Sequence, residues 1–300
     1  MTLSDPKPQF QGRAGFSALA ELLVATVHAR YRRTHASTGD GIGLTILYLF
    51  ADDAKIYCHV KDSNDKDSLQ TGIENFVKWT DTWQVKLNIP KCKIISCNHR
   101  RYSANDISIN YVMNHMSLGN VQEIKDLGVS YDSLLLFDKH VSEKVKKAYM
   151  MLGLIKRNFI HVSQDCFVIL YKALVRSHLE YANSVWNPRR KIDIDKLERV
   201  QRRATKLIPE LAKRPYSVRL KHLNLPTLKY RRYRGDMIEV FKIIKGIYDS
   251  SCAPTFSFVS LSDEVNCEFV RTRGNKYKLF QHQCHYDLRK FNFTNRQKRI

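Results

Sequence analysis

The sequence predicts an α+β fold, with a small antiparallel sheet in its first part and long helices after it. Between residues 44 and 60, the apolar run LTILYLF and the alternating segment AKIYCHV flank a short Ala51-Asp52-Asp53 break. This pattern is typical of two strands joined by a hairpin, the first strand buried on both faces and the second on one. After Tyr131, apolar residues recur every three or four positions, which is the spacing of amphipathic helices.

The sheet region also contains one predicted helix and further strands. Apolar spacing predicts an amphipathic helix over roughly residues 66–87. Its apolar side consists of Leu69, Ile73, Phe76, Thr80, Trp83 and Leu87. Residues 93–97 and 123–130 are predicted as strands, with a turn at Gly119-Asn120. Residues 1–43 are predicted to be irregular, with one short helix among them.

The region after Tyr131 is predicted to form four helices. The apolar sides of the first three are Val141, Val145, Ala148, Leu152, Ile155 and Phe159, then Phe167, Leu170, Tyr171, Leu174, His178 and Tyr181, then Ile194, Leu197, Val200, Ala204 and Leu207. A fourth helix is predicted over residues 228–248. Residues 251–300 have weaker periodicity and are predicted to be loops and short strands.

The charge balance favours a polyanionic partner. The chain has 50 Lys and Arg residues against 29 Asp and Glu residues, a net charge of +21, and a pI near 9.7. Nucleic acid is the first candidate partner for such an excess. An anionic membrane surface, or a basic surface with no fixed partner, are the alternatives. Two basic clusters stand out: Arg199, Arg202, Arg203 and Lys206, opposite the third apolar side, and Arg231, Arg232 and Arg234.

The cysteines favour a reducing compartment. The chain has 7 cysteines, an odd number, and none has Cys-x-x-Cys spacing. The first residues lack the basic start and apolar core of a signal peptide, and residues 14–29 are too short and mixed to cross a bilayer. We therefore expect an intracellular protein with no membrane segment, without distinguishing nucleus from cytoplasm.

Asp52 and Asp53 are the residues most suited to chemistry. Two adjacent carboxylates at a hairpin tip suit Mg²⁺, which binds carboxylate oxygens together with substrate phosphates. Two such ions can hold the attacking and leaving oxygens of a phosphoryl transfer. An isolated Asp-Asp pair is more often a polar turn, so the neighbouring motifs decide its meaning.

Five motifs in a fixed order resemble the reverse transcriptases of non-LTR, jockey-like retrotransposons. The first is Phe50-Ala51-Asp52-Asp53, similar to their Phe/Tyr-x-Asp-Asp box. The second is KWTDTWQVKLNIPKCKII, which contains Trp79, Trp83, Asn88, Lys91 and Cys92. The third is Asp126-Leu127-Gly128-Val129, and the fourth is LYKALVRSHLEYANSVWNP. The fifth combines KLERVQRRATKLIP with RRYRGDMIEVFKI. The resemblance covers roughly residues 44–250, and residues 1–43 do not match.

The resemblance implies a truncated polymerase palm over residues 44–130, an α-helical thumb over residues 131–250 and a basic C-terminal segment over residues 251–300. Asp52 and Asp53 would bind catalytic Mg²⁺ or Mn²⁺, and Lys91 would lie near the departing pyrophosphate. The two basic clusters would hold an RNA template and DNA primer, and an active enzyme would also bind dNTP. Trp79 and Trp83 are predicted to lie in the core, and Tyr181 and Trp186 to pack within the thumb, rather than to stack on bases.

A polymerase palm of this family needs a further aspartate from an earlier strand. Before Asp52 the sequence has Asp5 and Asp40, and neither lies on an apolar segment. We therefore expect the chain to be inactive as a polymerase by itself. Two alternatives from other classes stay open: a non-enzymatic nucleic-acid-binding protein that uses the basic helices, and a structural module whose long helices bind a partner protein.

Overall fold

A computed structural model of the chain describes residues 19–28, 46–50, 53–60, 63–97, 110–159, 161, 163–248, 253–258, 277–280 and 290–296. The chain divides into two compact units, Met1–Ile124 and Lys125–Ile300. Each unit has its own hydrophobic core. Small, mostly antiparallel sheets and long helices are both present, so the predicted mixture of α and β structure is confirmed.

The first unit is built on one sheet. Its strands are β1 (Leu19–His28), β2 (Ile46–Phe50), β3 (Asp53–Val60), β4 (Lys86–Leu87), β5 (Lys93–Cys97) and β8 (Gly119–Asn120), in the spatial order β2-β3-β1-β5-β8, with β4 paired to the end of β1. All pairs are antiparallel except β5 with β8. Two short strands, β6 (Val112–Met113) and β7 (Met116–Ser117), form a separate antiparallel pair.

The predicted hairpin is confirmed. Strands β2 and β3 pair antiparallel from Ile46 and Tyr57 to Phe50 and Asp53, so residues 51 and 52 connect them. Along β3, Ile56, Cys58 and Val60 are buried, as the alternation of apolar and polar residues predicts. The hairpin therefore places the start of β3 at its tip.

Two predictions in this unit are wrong. Residues 19–28 form strand β1 rather than part of a short helix, and β1 lies between β3 and β5. Neighbours on both sides satisfy its backbone groups, and its sequence LAELLVATVH contains enough β-branched and apolar residues for a central strand. Gly119-Asn120 lies in β8 rather than in a turn, because both residues pair with Lys93 and Ile94.

Helix α1 (Ser63–Thr82) packs on this sheet. Its buried side consists of Leu69, Ile73, Phe76 and Thr80, as predicted. The helix ends five residues before the predicted end at Leu87, because Trp83 and Gln84 form a turn in which Gln84 has a φ of 54°. Lys86 and Leu87 then pair with β1 instead of continuing the helix.

A hairpin opens the second part of the chain. Strands β9 (Glu123–Asp126) and β10 (Val129–Asp132) form a two-stranded sheet. Leu127 and Gly128 connect them, with φ values of 43° and 80°. Two consecutive positive φ values are typical of the tightest hairpin turns. The single strand predicted over residues 123–130 is therefore two strands with a reversal between them.

Helices form the rest of the second unit. They are α2 (Asp138–Asn158), α3 (Gln164–Leu170), a π-helical segment (Tyr171–Arg176), α4 (Ser177–Glu180), α5 (Asn183–Trp186), α6 (Lys191–Thr205), α7 (Tyr216–His222), α8 (Leu228–Ile244) and α9 (Phe293–Arg296). Side chains cap two of them: Ser163 accepts from Cys166 N, and Thr227 accepts from Tyr230 N. The fourth predicted helix thus ends at Ile244 rather than at residue 248.

The core of the second unit lies where α2, α6 and the helical run from α3 to α4 meet. Trp186 is its largest fully buried side chain, and its indole Nε1 donates to the carbonyl oxygen of Tyr181 at 2.6 Å. Tyr171 is also fully buried and donates to Gln201 Oε1 at 2.7 Å. These bonds satisfy the polar atoms of the two large side chains, which allows them to fill the core.

Across the described residues, none of the helices is both long enough and apolar enough to cross a membrane.

Candidate functional site

The first candidate site is the tip of the β2–β3 hairpin. Asp53 begins β3 and pairs with Phe50 of β2 on one side and with Thr26 of β1 on the other. Its side chain is partly exposed. Asp52 lies outside the described residues. The hairpin thus presents the carboxylate of Asp53 at one end of the sheet, as the sequence predicted for that residue.

Strand β1 determines which residues accompany Asp53 at that end. Thr26 lies opposite Asp53, and Glu21, which carries the one carboxylate of β1, lies opposite Cys58. Glu21 is therefore five residues farther along the strand pair than Thr26, about 16 Å at strand spacing. At the position opposite Asp53, strand β1 therefore has a threonine rather than an acidic residue.

Lys91 approaches this end of the sheet from the other side of β1. It is exposed and ends the 3₁₀ turn Ile89–Lys91, which follows the pairing of β4 with Val27 and His28. Because β1 lies between β3 and the segment that contains Lys91, the two backbones are about two strand spacings apart, about 10 Å. Asp53 and Lys91 thus lie at the same end of the sheet. The described residues show no direct contact between the two side chains.

The residues at the hairpin tip suit a hard cation in part. Asp53 offers carboxylate oxygens, the ligand type that Mg²⁺ prefers. No group of three His, Cys, Asp or Glu side chains that could hold a metal ion occurs within the described ranges, which exclude Asp52. Of the two aspartates, Asp53 is the one that the structure describes, and it would be a ligand of a metal ion. The ion would supply the positive charge that attracts substrate phosphates to the hairpin tip.

The second candidate site is the exposed side of α6, which we call the basic face. It consists of Arg199, Arg202, Arg203 and Lys206, all of which are exposed. On the opposite side of the same helix, Leu197, Val200 and Ala204 are fully buried. Burial of the apolar side therefore fixes four positive charges on the solvent side of one short helical segment.

Aromatic rings support two residues of the basic face. The Arg202 guanidinium lies 5.3 Å from the ring centroid of Tyr216, and that of Arg203 lies 5.6 Å from the ring centroid of Tyr149. Cation–π contacts of this kind are worth roughly 0.5–1 kcal/mol at exposed sites. They restrict the two long side chains, so less conformational entropy is lost when the guanidinium groups bind an anion.

The other predicted arginine cluster, on α8, is divided by the structure. Both oxygens of the Glu180 carboxylate accept from Arg231, through its Nε and Nη2. Arg232 is only 3% exposed. Arg234 is exposed to solvent. The three residues therefore do not form one basic surface, although they are nearly consecutive in sequence.

One of the two tryptophans predicted for the core, Trp83, departs from that position. Trp186 is fully buried and Trp79 is partly buried, as predicted. Trp83 is 58% exposed, because α1 ends one residue before it. Tyr181 is 48% exposed, and its hydroxyl donates to the carbonyl oxygen of Leu127 at 2.8 Å.

The structure also brings together a cluster of cationic side chains around Tyr181, which the sequence pattern did not predict. Lys144 Nζ lies 5.0 Å from the ring centroid of Tyr181. Burial lowers the pKa of Lys144, and the charges of Lys125 and Lys147 lower it further. The same two effects, burial and then Lys147 with Lys144, lower the pKa of His178. The helical spacing predicts Lys144 on the solvent side of α2. The effect of the Lys125 charge on the pKa of Lys144 arises because the fold brings these two parts of the sequence together.

Comparison with known proteins finds similarity to one kind of protein. The chain is 26% identical over 171 residues to the RNA-directed DNA polymerase from mobile element jockey of Drosophila melanogaster, which covers 54% of this chain and 18% of that protein. It is also 26% identical over 216 residues to the jockey polymerase of Drosophila funebris, covering 69% of this chain and 22% of that protein. No protein-family description and no solved structure matches the chain.

The chain therefore spans about a fifth of the length of these curated relatives. Their similarity confirms the resemblance that the Phe50-Ala51-Asp52-Asp53 box and the four later motifs predicted. The chain is similar in sequence to the RNA-directed DNA polymerases of jockey-like mobile elements.

Proposed function

We propose that this chain binds a nucleic-acid duplex of the template–primer type through the basic face of α6. The observation that carries the proposal is the exposure of Arg199, Arg202, Arg203 and Lys206 on one side of a helix whose other side is buried. A net charge of +21 adds a long-range attraction for polyanions. Such contacts to phosphates position a duplex without reading its base sequence.

The similarity to jockey polymerases supports a more specific form of this proposal. Residues 44–130 would be a polymerase palm with Asp52 and Asp53 as ligands of Mg²⁺ or Mn²⁺, and residues 131–250 would be the thumb that holds an RNA template and its DNA primer. In the parent family the reaction is RNA-templated DNA synthesis by two-metal nucleotidyl transfer. Lys91 would face the departing pyrophosphate, where a cation stabilises the developing charge.

We propose further that this chain binds template–primer without extending it. A two-metal site needs carboxylates from more than one strand so that both ions are held in line with the reacting oxygens. Strand β1, next to Asp53, has Thr26 opposite that residue and contains no aspartate. Asp52 and Asp53 from one turn would therefore bind the two ions weakly and hold the substrate loosely.

Binding is tested by the triple variant Arg199→Gln/Arg202→Gln/Arg203→Gln. Each phosphate contact contributes roughly 0.9 to the slope of log affinity against log salt concentration, so we expect the slope to fall by about 2 to 3. Affinity for an RNA–DNA duplex at low salt is expected to fall at least about tenfold. Fluorescence anisotropy at several salt concentrations measures both quantities.

The matched control is Lys156→Gln/Arg157→Gln/Lys172→Gln, which removes the same charge from exposed positions on other helices. It should change the slope less than the basic-face variant does. Equal losses in the two variants would mean that overall charge, not the basic face, is responsible. Unchanged binding in both would favour the alternative of a protein-interaction module, for which the exposed Tyr230, Met237 and Phe241 of α8 are suitable.

Catalysis is tested separately by primer extension on an RNA template, with Mg²⁺ and Mn²⁺ in parallel. We expect no incorporation by a preparation that still binds template–primer. Incorporation that disappears in Asp52→Asn/Asp53→Asn would show that the chain completes a metal site, and the binding-only proposal would be wrong.

A further inference from the structure

A cavity in the second unit has the composition of an anion site. Its volume is about 350 Å³, and it lies between the loop after α5, helices α6 and α8, and the C-terminal segment that contains α9. Its walls include four basic residues and two aromatic rings: Arg189, Lys229, Arg232, Arg296, Tyr233 and Phe291. None of the four residues of the basic face is part of its lining.

Arg232 is the unusual residue in this cavity. Only 3% of the residue is exposed. Neither of its terminal nitrogens, Nη1 and Nη2, has a hydrogen-bond partner among the described residues. A buried guanidinium without hydrogen bonds is strongly unfavourable, because it loses its hydration and gains nothing in exchange. Burial accordingly lowers the pKa of Arg232.

Two of the acidic residues that favour the charged form of Arg232, Glu198 and Asp236, are already bonded to other donors. A third, Glu180, accepts from Arg231 through both carboxylate oxygens. Glu198 accepts from the Tyr216 hydroxyl through Oε1 and from the Leu228 backbone N–H through Oε2. Asp236 accepts from both Arg296 and Asn187. None of these carboxylates forms an ion pair with Arg232 in the described structure, so its two terminal amino groups are available to an incoming acceptor.

The remaining charges make the cavity positive. Arg296 and Asp236 neutralise each other in a bidentate ion pair, with N–O distances of 2.9 Å. Arg189, Lys229 and Arg232 add three positive charges to the same walls. Two of these stand beside rings: the Arg189 guanidinium lies 5.5 Å from the Phe291 ring centroid, and Lys229 Nζ lies 5.9 Å from that of Tyr233.

We propose that this cavity binds a phosphate group, which pairs with Arg232 and is flanked by Arg189 and Lys229. A guanidinium matches two oxygens of a phosphate in a planar, bidentate arrangement, and this would satisfy both Nη1 and Nη2. A doubly charged phosphate balances the charges of Arg232 and Lys229 better than a carboxylate does. Lys229 is exposed and Tyr233 is 38% exposed, so the cavity that they line with Arg232 has a solvent-exposed rim.

The phosphate could belong to a free nucleotide or inorganic phosphate, or to the phosphorylated end of a nucleic-acid strand. A volume of about 350 Å³ exceeds what one phosphate needs, and Tyr233 and Phe291 offer ring faces to a base. The proposal does not depend on nucleic-acid binding by the basic face, because the residues of the two sites differ.

The first test measures the urea midpoint of the full chain in sodium phosphate and in sodium chloride at equal ionic strength. Phosphate stabilises most proteins by exclusion from their surface, so the quantity of interest is the difference between variants. We expect phosphate to raise the midpoint of the wild type more than that of Arg232→Met. The matched control Arg234→Met removes one charge from an exposed position of the same helix and should keep the full rise.

A second variant protects this test against misfolding of Arg232→Met. Lys229→Gln changes an exposed side chain of the cavity, and we expect it to reduce the rise caused by phosphate. Lys221→Gln, at an exposed position away from the cavity lining, should not. An equal rise in the wild type, Arg232→Met and Lys229→Gln would overturn the proposal.

The second test identifies the source of the phosphate. An oligonucleotide with a 5′-phosphate is compared with the same oligonucleotide carrying a 5′-hydroxyl, and a 5′-mononucleotide with its nucleoside. A strand end as ligand predicts roughly tenfold tighter binding of the phosphorylated oligonucleotide, lost in Arg232→Met and retained in Arg199→Gln/Arg202→Gln/Arg203→Gln. A free nucleotide predicts that preference in the mononucleotide pair alone. No preference in either pair, together with a phosphate-dependent rise of the urea midpoint that is smaller in Arg232→Met than in the wild type, would assign the site to inorganic phosphate. No preference in either pair together with an equal rise in the wild type and in Arg232→Met would contradict the proposal.

Discussion

Gly128 is a residue whose backbone and surroundings both exclude a side chain. Its φ is 80°, and a Cβ atom added there would lie 3.2 Å from Cε1 of Tyr181. The Tyr181 hydroxyl in turn donates to the carbonyl oxygen of Leu127, so the ring cannot move away without breaking that bond. The tight turn between β9 and β10 and the position of Tyr181 therefore depend on each other.

We expect Gly128→Ala to lower the free energy of unfolding by about 1–2 kcal/mol, from the strained φ and the close contact. Gly153→Ala is the matched control. Gly153 lies inside α2 with nothing within 4 Å of an added Cβ, so the substitution should raise stability by roughly 0.5–1 kcal/mol. Urea denaturation followed by circular dichroism measures both. A Gly128→Ala protein as stable as the wild type would disprove the account of this turn.

His140 is a fully buried histidine held in its neutral form. Its Nδ1 accepts a hydrogen bond from the Ser130 backbone N–H at 3.1 Å, and its ring centroid lies 5.1 Å from that of Trp186. Burial, followed by the charge of Lys144, lowers the pKa of His140 from 6.5 to about 4. Between these pH values the unfolded chain therefore binds a proton at this residue that the folded chain excludes.

The contribution of His140 to stability is present above pH 6.5 and is lost as the pH falls from 6.5 towards 4. From the difference in pKa, the loss amounts to about 3 kcal/mol. His140→Gln keeps an acceptor for Ser130 but cannot titrate, so its stability should fall less over this pH range. The exposed His161→Gln serves as control and should follow the wild type. Parallel pH profiles for wild type and His140→Gln would rule this mechanism out.

At the scale of the element, the π-helical segment Tyr171–Arg176 changes which residues face the core. A regular helix through Phe167 and Tyr171 predicts Leu174 and His178 on the buried side. Instead Val175 and Leu179 are buried, and Leu174 is 40% exposed. A π segment contains one residue more than the equivalent α-helix, so it moves the buried side one position along the sequence.

This leads to a prediction for a deletion. Removal of the exposed Ala173 should convert the segment to α-helix, with Val175 and Leu179 moved back by one position onto the side of Phe167 and Tyr171. We expect a cooperative, folded protein with little change in stability. Deletion of the exposed Lys146 from regular α2 should instead rotate Ala148, Leu152 and Ile155 by about 100° and abolish cooperative unfolding. If both deletions behave alike, the π segment is not a one-residue insertion.

Helix α8 shows a related reversal of the expected pattern. Its buried stripe is Leu228, Arg232, Asp236 and Val240, at spacings of four, while Tyr230, Met237 and Phe241 are exposed. Asp236 is fully buried and receives bonds from Arg296 and Asn187. Asp236 can occupy the buried side because other elements supply it with hydrogen-bond donors, whereas Arg232 lines the cavity to which we assign a phosphate.

At the scale of the whole molecule, hydrophobic packing and charge are organised separately in each unit. The first unit has its core between α1 and the sheet, and the second has its core among the helices. The hairpin tip with Asp53 belongs to the first unit, whereas the basic face and the cavity with Arg232 belong to the second. Substitutions at the hairpin tip therefore test a role of the first unit, whereas substitutions in the basic face and in the cavity test roles of the second unit.

The elements that depend on local pattern could be predicted. The β2–β3 hairpin, α1, α2 and α6 follow from the alternation or the helical spacing of apolar residues, since burial of one side is enough to define them. The basic face follows for the same reason: a helix that buries Leu197, Val200 and Ala204 must expose Arg199 and Arg203. The five motifs in order, beginning at Phe50, together identified the similarity to jockey polymerases.

The mixed fold, the basic character and the similarity to known polymerases all follow from local sequence patterns. The features that depend on contacts between distant residues follow only from the packing of each unit. Partners on both sides make residues 19–28 a strand and set Thr26 opposite Asp53. The π segment, the separation of Arg231 from Arg232 and the cavity at Arg232 likewise depend on which helices pack together. Local periodicity reports which side of an element is apolar, whereas the partner of a buried charge is set by the packing of the whole unit.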